Sequence, residues 1–367
     1  MRIALVTEFY HPHLGGVTEH VENLAQQFRG RGHEVTIITA RMAGQGVDPE
    51  YVRRVGTSRV VFSNGSFARI TTGFRLRSRI ARILRERQID IVHLHGSLTP
   101  TLGLVGQDAA DDCGVPVVAT FHSWFPRAPA FRAFRRFLQP RLDRIAASIA
   151  VSEPVIAAMS RYFTTDWTII PNGIDIDHFH PVPHDPDALA GDARMLFLGR
   201  LDPRNGLGTM LDAMPHILRR RPDARLVVAG DGPLRRLYEK RARPLGNNVE
   251  FLGQVNGERP LLYGTADLYV CPTSKASFGI TLLEAMACGT PIIGSDIIGF
   301  RELVDHGNEA VLAPVDDAKA WADTAVALLE NPEKRRQMGA AGREKAALFA
   351  WPIVADRVLA VYARVLA

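Results

Sequence analysis

The chain has 367 residues, of which 46% are hydrophobic and 23% charged, and a formal net charge of +5. That length exceeds one ordinary core and suits two domains of roughly 150–200 residues, with the composition of a soluble globular protein. No apolar run approaches the roughly 18 residues of a membrane span, and Cys113, Cys271 and Cys288 form no metal-like spacing, so a reducing cytoplasm is the default setting.

The charge is uneven. Residues 1–168 hold 21 Arg and Lys against 14 Asp and Glu, while residues 169–367 hold 23 against 25. A basic first half points to an anionic partner. The competing reading is a genome-wide arginine bias, since 39 of the 44 cations are arginine.

In chain order, the apolar stretch after Met1 runs into Glu8; it is too short for a signal peptide and reads as a buried first strand over 2–7. Gly15-Gly16 follows, then a helix with Val17, Val21, Leu24, Ala25 and Phe28 on one face, stopped by Gly30 and Gly32. Further strands are expected over 35–39, 59–62, 90–95, 116–121 and 145–151. The chain breaks near 164–177, punctuated by Pro171-Asn172-Gly173.

The pattern then restarts. A strand over 195–198 precedes a helix with Leu207, Met210, Leu211, Met214, Ile217 and Leu218 in register, which Pro215 is expected to kink. Strands follow over 225–229, 249–252, 267–271 and 291–293, then helices over 316–330, 333–348 and from Trp351 to the end. Strands alternating with helices imply parallel sheets wrapped by helices, hence two doubly wound Rossmann-like α/β domains. The expected division is 1–168, 169–348 and a last helix over 349–367 returning to the first domain.

Three turns carry residues suited to chemistry. Gly15-Gly16 lies at the carboxyl edge of the first sheet, where glycine lets the backbone approach a phosphate or sugar; a plain tight turn needs it as well. Gly199-Arg200-Leu201-Asp202 occupies the equivalent turn of the second half, where Arg200 is either a bidentate diphosphate clamp or a solvated loop charge. Gly230-Asp231-Gly232-Pro233 reads as a structural turn. In the stretch from Ser277 to Pro291, a glycine-opened helix presents free amides to a diphosphate. Glu284 sits one turn inside on an apolar face and needs either two ribose hydroxyls or an ion pair within the domain.

The order of these motifs resembles the family-4 retaining glycosyltransferases of the GT-B fold, two Rossmann-like domains facing across a cleft. Gly15-Gly16, Asp90-Ile-Val-His93-Leu-His95, Thr120-Phe-His122, Val151-Ser-Glu153, Pro171-Asn-Gly-Ile-Asp175, Gly199-Arg200 and Ser277 through Pro291 carry it, over nearly the whole chain. Within the family the sequence looks most like the phosphatidylinositol mannosyltransferase branch.

The resemblance implies hexose transfer, with mannose as a candidate sugar, from a nucleotide-diphosphate sugar to a lipid or polar glycan acceptor. It places Gly15 and Gly16 beside the donor diphosphate and sugar, and His122 near the anomeric carbon. Arg200 would neutralise the leaving diphosphate, with Ser277, Phe278, Gly279 and Ile280 supporting it and Glu284 holding the ribose. No cofactor and no metal are implied. Charge builds on the diphosphate as the glycosyl bond breaks, so preorganised cations and dipoles lower the barrier. Two departures stand out. Asn205, beside Arg204, occupies the family's lysine position in a shorter Pro203-Arg204-Asn205-Gly206 stretch. Ala276, after Ser274-Lys275, replaces the first of two glutamates. Either donor handling is altered, or the chain binds a nucleotide sugar without turnover.

Asp175-Ile176-Asp177 matches the metal-binding Asp-x-Asp of another glycosyltransferase fold, yet it falls in the interdomain connection and reads with His178 and His180 as a cap or loop. Two basic stretches remain. Phe131, Arg132, Phe134, Arg135, Arg136 and Phe137 alternate at helical spacing up to Leu138, the pattern of an interfacial helix on anionic lipid. Phe74 to Arg85 shows the same pattern but packs naturally before the strand at 90–95. Nucleic acid is disfavoured because no reading module accompanies the arginines. The expected location is the cytoplasm, with peripheral attachment to the inner membrane face.

Overall fold

The computed structural model describes all residues except 14, 64–65, 97, 99–100, 126, 184–192 and 256, with the backbone alone at 61–63 and 66–68. The chain divides into two units, Met1–Gly173 with Trp351–Ala367, and Ile174–Ala350.

The first unit is built on β1 (Arg2–Thr7), β2 (Glu34–Arg41), β3 (Val52–Ser63), β4 (Ser66–Thr72), β5 (Ile91–His95), β6 (Val117–Phe121), β7 (Ala147–Ala150) and β8 (Trp167–Ile169). They form one sheet in the order β4-β3-β2-β1-β5-β6-β7-β8, parallel except for the β3–β4 hairpin. The helices are α1 (Gly16–Gly30), α2 (Leu76–Glu86), α3 (Leu102–Asp111), α4 (Pro129–Ala133), α5 (Arg135–Leu142) and α6 (Glu153–Met159). β1 shows why the sheet is covered on both faces. Ile3 and Leu5 belong to the core under α1, while Ala4 and Val6 belong to the core under α2 and α3. Side chains alternate along a strand, so an unbroken apolar run demands cover on both sides.

The second unit has β9 (Ala193–Leu198), β10 (Ala224–Ala229), β11 (Val249–Gly253), β12 (Leu268–Cys271), β13 (Ile292–Ser295) and β14 (Ala310–Ala313), in the order β11-β10-β9-β12-β13-β14. Its helices are α7 (Leu207–Leu218), α8 (Arg235–Ala242), α9 (Arg259–Thr265), α10 (Ile280–Ala287), α11 (Ile298–Arg301), α12 (Ala318–Leu329) and α13 (Pro332–Ala347). α7 continues through Pro215 to Leu218. The final helix, α14 (Trp351–Leu366), packs on α1 in the first unit through Val354, Val358, Val361 and Tyr362.

Four strands differ from the sequence reading. β3 begins at Val52 and is followed by β4, whose Ser66, Arg69, Thr71 and Thr72 conceal it from an apolar-run search. β8 lies inside the expected break, and β14 was not expected. Both are short edge strands of three or four residues, too brief to show a period. The basic stretch at 131–138 is two helical pieces, because Phe134 leaves helical geometry between α4 and α5.

Candidate active site

Strand order fixes where each unit can bind a ligand: at the carboxyl ends of neighbouring strands whose connections run in opposite directions. In the second unit that point lies between β9 and β12. The loop after β9 carries Arg200, Arg204 and Asn205, and the loop after β12 carries Ala276 to Gly279. The two loops are bonded together, since the Ser274 amide and hydroxyl both donate to the Arg204 carbonyl, at 2.9 and 3.1 Å. Gly206 completes the junction at φ 73°, where an added Cβ would sit 2.0 Å from the Pro272 carbonyl oxygen. The Gly230–Pro233 turn braces the same loop from behind, with the Leu201 amide donating to Asp231 O at 3.0 Å.

Arg200 is the loose cation of this cluster. Its side chain is 52% exposed and its nearest carboxylate, Asp202, is 3.8 Å away. Asp202 is committed elsewhere, accepting the Asn205 amide at 3.2 Å. Asn205 turns its side chain inward, donating from Nδ2 to the Arg200 carbonyl at 2.7 Å. The residue at the lysine position therefore shapes the loop that carries Arg200, and Arg204 and Lys275 are the exposed cations beside it. Ser274, bonded to the loop backbone, is likewise structural.

Gly279 opens α10 in the left-handed region at φ 104°, and a Cβ there would meet the Phe300 ring at 2.9 Å. Phe278 is buried against Phe349, whereas Ala276, Ser277 and Ile280 are half-buried. The first amides of α10 lack partners within their own helix and carry its positive end. Glu284 realises the ion-pair alternative. Its side chain is 1% exposed, with Oε1 2.6 Å from Arg259 Nη1 and Oε2 accepting from Tyr263 at 3.0 Å. Arg259 also lies over the Phe179 ring at 5.2 Å. Neither Arg259 nor Tyr263 stood out in the sequence, because each falls in an ordinary amphipathic helix.

In the first unit the corresponding point lies beside β1 and β5. Gly15 precedes α1 and Gly16 is its first residue; nothing lies within 4 Å of a Cβ built on Gly16. His93 and His95 continue the Ile91 face of β5, and His122 continues the Val118–Thr120 face of β6. Period-two alternation thus turns all three histidines toward α1 and α14. His20 of α1 joins them, one helical turn before Leu24 on the buried face.

The histidines form a ladder. His93 is hydrogen-bonded with Tyr362 at 2.6 Å and with Thr120 at 2.7 Å. His95 Nδ1 and His122 Nε2 share a hydrogen bond of 3.0 Å, and the His20 ring stands edge-on to His122 with centroids 4.7 Å apart. His20 Nδ1 donates to Asn172 Oδ1 at 3.0 Å, which gives Pro171-Asn172-Gly173 a structural role. Gly173 is required under Trp351, because a Cβ there would come 2.5 Å from the indole. Burial pushes His20 down to about 4 and His93 to about 3, and holds His95 and His122 well below the ordinary range. All four rings are neutral at pH 7, so His122 presents an uncharged imidazole.

Residues 14–178 match the family model described as Glycosyltransferase Family 4, and residues 185–345 match Glycosyl transferases group 1. A phosphatidyl-myo-inositol mannosyltransferase from Mycobacterium leprae is 34% identical, over 99% of this chain and 96% of that protein. The chain belongs to the family-4 glycosyltransferases. It is an enzyme, a hexosyltransferase, and its two doubly wound units are those of the GT-B fold. A GDP-mannose-dependent alpha-mannosyltransferase from Mycolicibacterium smegmatis is 30% identical over 100% of this chain and 98% of its own. Among solved structures, sucrose-phosphate synthase from Thermosynechococcus elongatus superposes with a TM-score of 0.78 at 24% identity, covering 99% of this chain and 98% of that one. These comparisons lend no support to the alternative of a binding protein without turnover.

The remaining sites divide. Asp175 Oδ1 accepts the amides of Asp177 and His178, at 3.1 and 3.0 Å, so the Asp-x-Asp closes a turn. Phe131 turns inward onto Phe125, Tyr162 and Phe163, and Leu138 is buried. The interfacial face expected over 131–138 is therefore narrower: Phe134 and Phe137 are 61% and 56% exposed, flanked by exposed Arg132, Arg135 and Arg136. α2 buries Leu76, Ile80 and Leu84 and keeps its arginines outside.

Proposed function

We propose that the chain transfers mannose from a guanosine diphosphate sugar to a phosphatidylinositol-type lipid at an anionic membrane surface. The carrying observation is the 34% identity that runs through 99% of the chain to a phosphatidyl-myo-inositol mannosyltransferase. The GDP-mannose-dependent relative favours the guanine base.

In this reading the acceptor hydroxyl oxygen forms a bond to the anomeric carbon as the carbon–oxygen bond to the β-phosphate breaks. The departing phosphate oxygen takes the acceptor's proton, on the face from which it leaves. Arg200 and the first amides of α10 stabilise the charge that builds on that oxygen, a contribution on the order of 3–4 kcal/mol for one well-placed donor. Gly16, with no side chain, lets the diphosphate and sugar approach the start of α1. Neutral His122 accepts or donates a hydrogen bond at the sugar without repelling the positive charge that develops on the ring. Arg204 and Lys275 supply the cationic surroundings that Asn205 does not. No metal or cofactor is called for. Exposed Phe134 and Phe137 among arginines, with Phe74 76% exposed beside Arg75, support attachment to anionic lipid. Among the described residues no helix is long and apolar enough to cross a membrane.

The test is transfer of labelled mannose from GDP-mannose into phosphatidylinositol presented in mixed vesicles, with UDP- and ADP-sugars in parallel. Turnover confined to a uracil or adenine donor would overturn the assignment of the base. Transfer only to water-soluble glycans would overturn the lipid acceptor.

A further inference from the structure

The histidine ladder holds more than one hexosyl contact requires. His122 alone is assigned to the sugar, yet one ring nitrogen from each of His20, His95 and His122 lies within 4.8 Å of the others. His20 Nε2 and His95 Nε2 are also buried with no hydrogen-bond partner. An unmade bond at a buried polar atom is costly, and His20 Nε2, whose ring is held through Nδ1 by Asn172, is available to an ion. We propose that His20, His95 and His122 form a binding site for a zinc-class divalent cation, and that its occupancy withdraws His122 from glycosyl transfer.

The chemistry of the donor set favours such an ion. Three imidazoles leaving one open position make a zinc site of the solvent-accessible type, and imidazole selects zinc, copper or nickel over magnesium or calcium. His20 is already oriented, because its other nitrogen donates to Asn172 at 3.0 Å. An outer hydrogen bond of that kind aims a metal-ligating ring. Zinc–nitrogen bonds of about 2.0–2.1 Å imply nitrogen separations of roughly 3.3 Å. His95 Nδ1 and His122 Nε2 are already 3.0 Å apart, and His122 is half-buried, so its ring can turn toward the other two. The ligands at the end of β5 and after β6 are held in register by the sheet, and the third comes from the buried face of α1. An ion held through His122 Nε2 replaces that ring's bond with His95 and sets a positive charge beside the position assigned to the sugar, where positive charge develops during transfer, so cation and transfer oppose one another. The binding half of the proposal stands on the geometry alone. The inhibitory half rests on the reading of His122 given under the proposed function.

Metal-free protein titrated calorimetrically with zinc chloride should bind one equivalent. His20→Gln and His95→Gln should each weaken that binding at least tenfold. The His178→Gln/His180→Gln double variant, which removes an exposed histidine pair outside the cluster, should bind as the wild type does. Cobalt(II) added to the wild-type protein should give the intense visible bands of a tetrahedral imidazole site, an observation that needs no variant to fold. Zinc should inhibit mannosyl transfer and EDTA should restore it. No stoichiometric zinc binding, or binding lost with His178 and His180 but kept by both core variants, overturns the site. One-to-one binding through the core histidines with transfer unchanged overturns the inhibitory half and the placement of His122 with it.

Discussion

Arg259 Nη1 lies 2.6 Å from Glu284 Oε1, an ion pair in which the glutamate side chain is only 1% exposed. Removing one partner strands a buried charge, which costs about 3–5 kcal/mol, whereas replacing both with apolar groups is often close to neutral. Arg259→Ala should therefore lower the urea midpoint steeply, and Arg259→Met with Glu284→Leu should recover most of the loss. Equal destabilisation by the single and double variants would show that the pair is not what holds α9 to α10.

Arg200→Ala should reduce transfer 100-fold or more, the scale set by one lost oxyanion-type donor of on the order of 3 kcal/mol. The loss should fall on kcat, because charge grows on the diphosphate as the bond breaks. A folded Arg200→Ala protein with near wild-type turnover would remove this residue from the reaction.

Two glycines should separate stability from activity. Gly206→Ala places a Cβ 2.0 Å from a carbonyl at φ 73°, so its melting temperature should drop, with a cost above about 1 kcal/mol. Gly16→Ala meets nothing within 4 Å and should melt as the wild type does. Its transfer rate should nevertheless collapse, because the methyl occupies the space the donor needs. Full activity in Gly16→Ala would place the donor elsewhere.

Stability should fall on acidification through the histidine ladder. Unfolded histidine titrates near 6.5, while burial holds folded His20 at about 4. Between those values the unfolded chain binds a proton that the folded chain does not. Stability is therefore complete above about pH 6.5 and declines by roughly 1.4 kcal/mol per pH unit for each such histidine as the pH falls toward 4. Melting curves from pH 8 to pH 5 should show this slope, and His20→Gln should flatten it. A slope unchanged in the variant would assign the effect to other groups.

Chelation offers a further check. With Arg200 and the α10 amides carrying the developing charge, EDTA should leave transfer by zinc-free enzyme unchanged. Activity lost to EDTA and restored by magnesium or manganese would return Asp175 and Asp177 to consideration, against their hydrogen bonds within the turn.

Much of the fold was legible in the chain because it is a matter of local period. Apolar runs such as Ile3–Val6 and Met195–Leu198 mark strands buried on both faces, and helices such as α7 and α14 show their inward stripes directly. β4, β8 and β14 were hidden because a short or polar edge strand takes its identity from its neighbour. The basic stretch at 131–138 misled for a related reason. Helical spacing was present, but the break at Phe134 sends Phe131 inward and leaves Phe134 and Phe137 outside.

By itself the sequence determined the two doubly wound halves, the glycines that open α1 and α10, and the placing of Arg200 and His122 at strand ends. Each of these depends on spacing along the chain, which periodicity and backbone sterics convert into structure. Tertiary structure alone decided the partners. Glu284 meets Arg259 across 25 residues, His93 meets Tyr362 across 269, and His20 meets Asn172 across 152. A buried polar group must be satisfied, yet nothing in its own segment says by whom; that is fixed only when sheet and helices bring distant residues within about 3 Å.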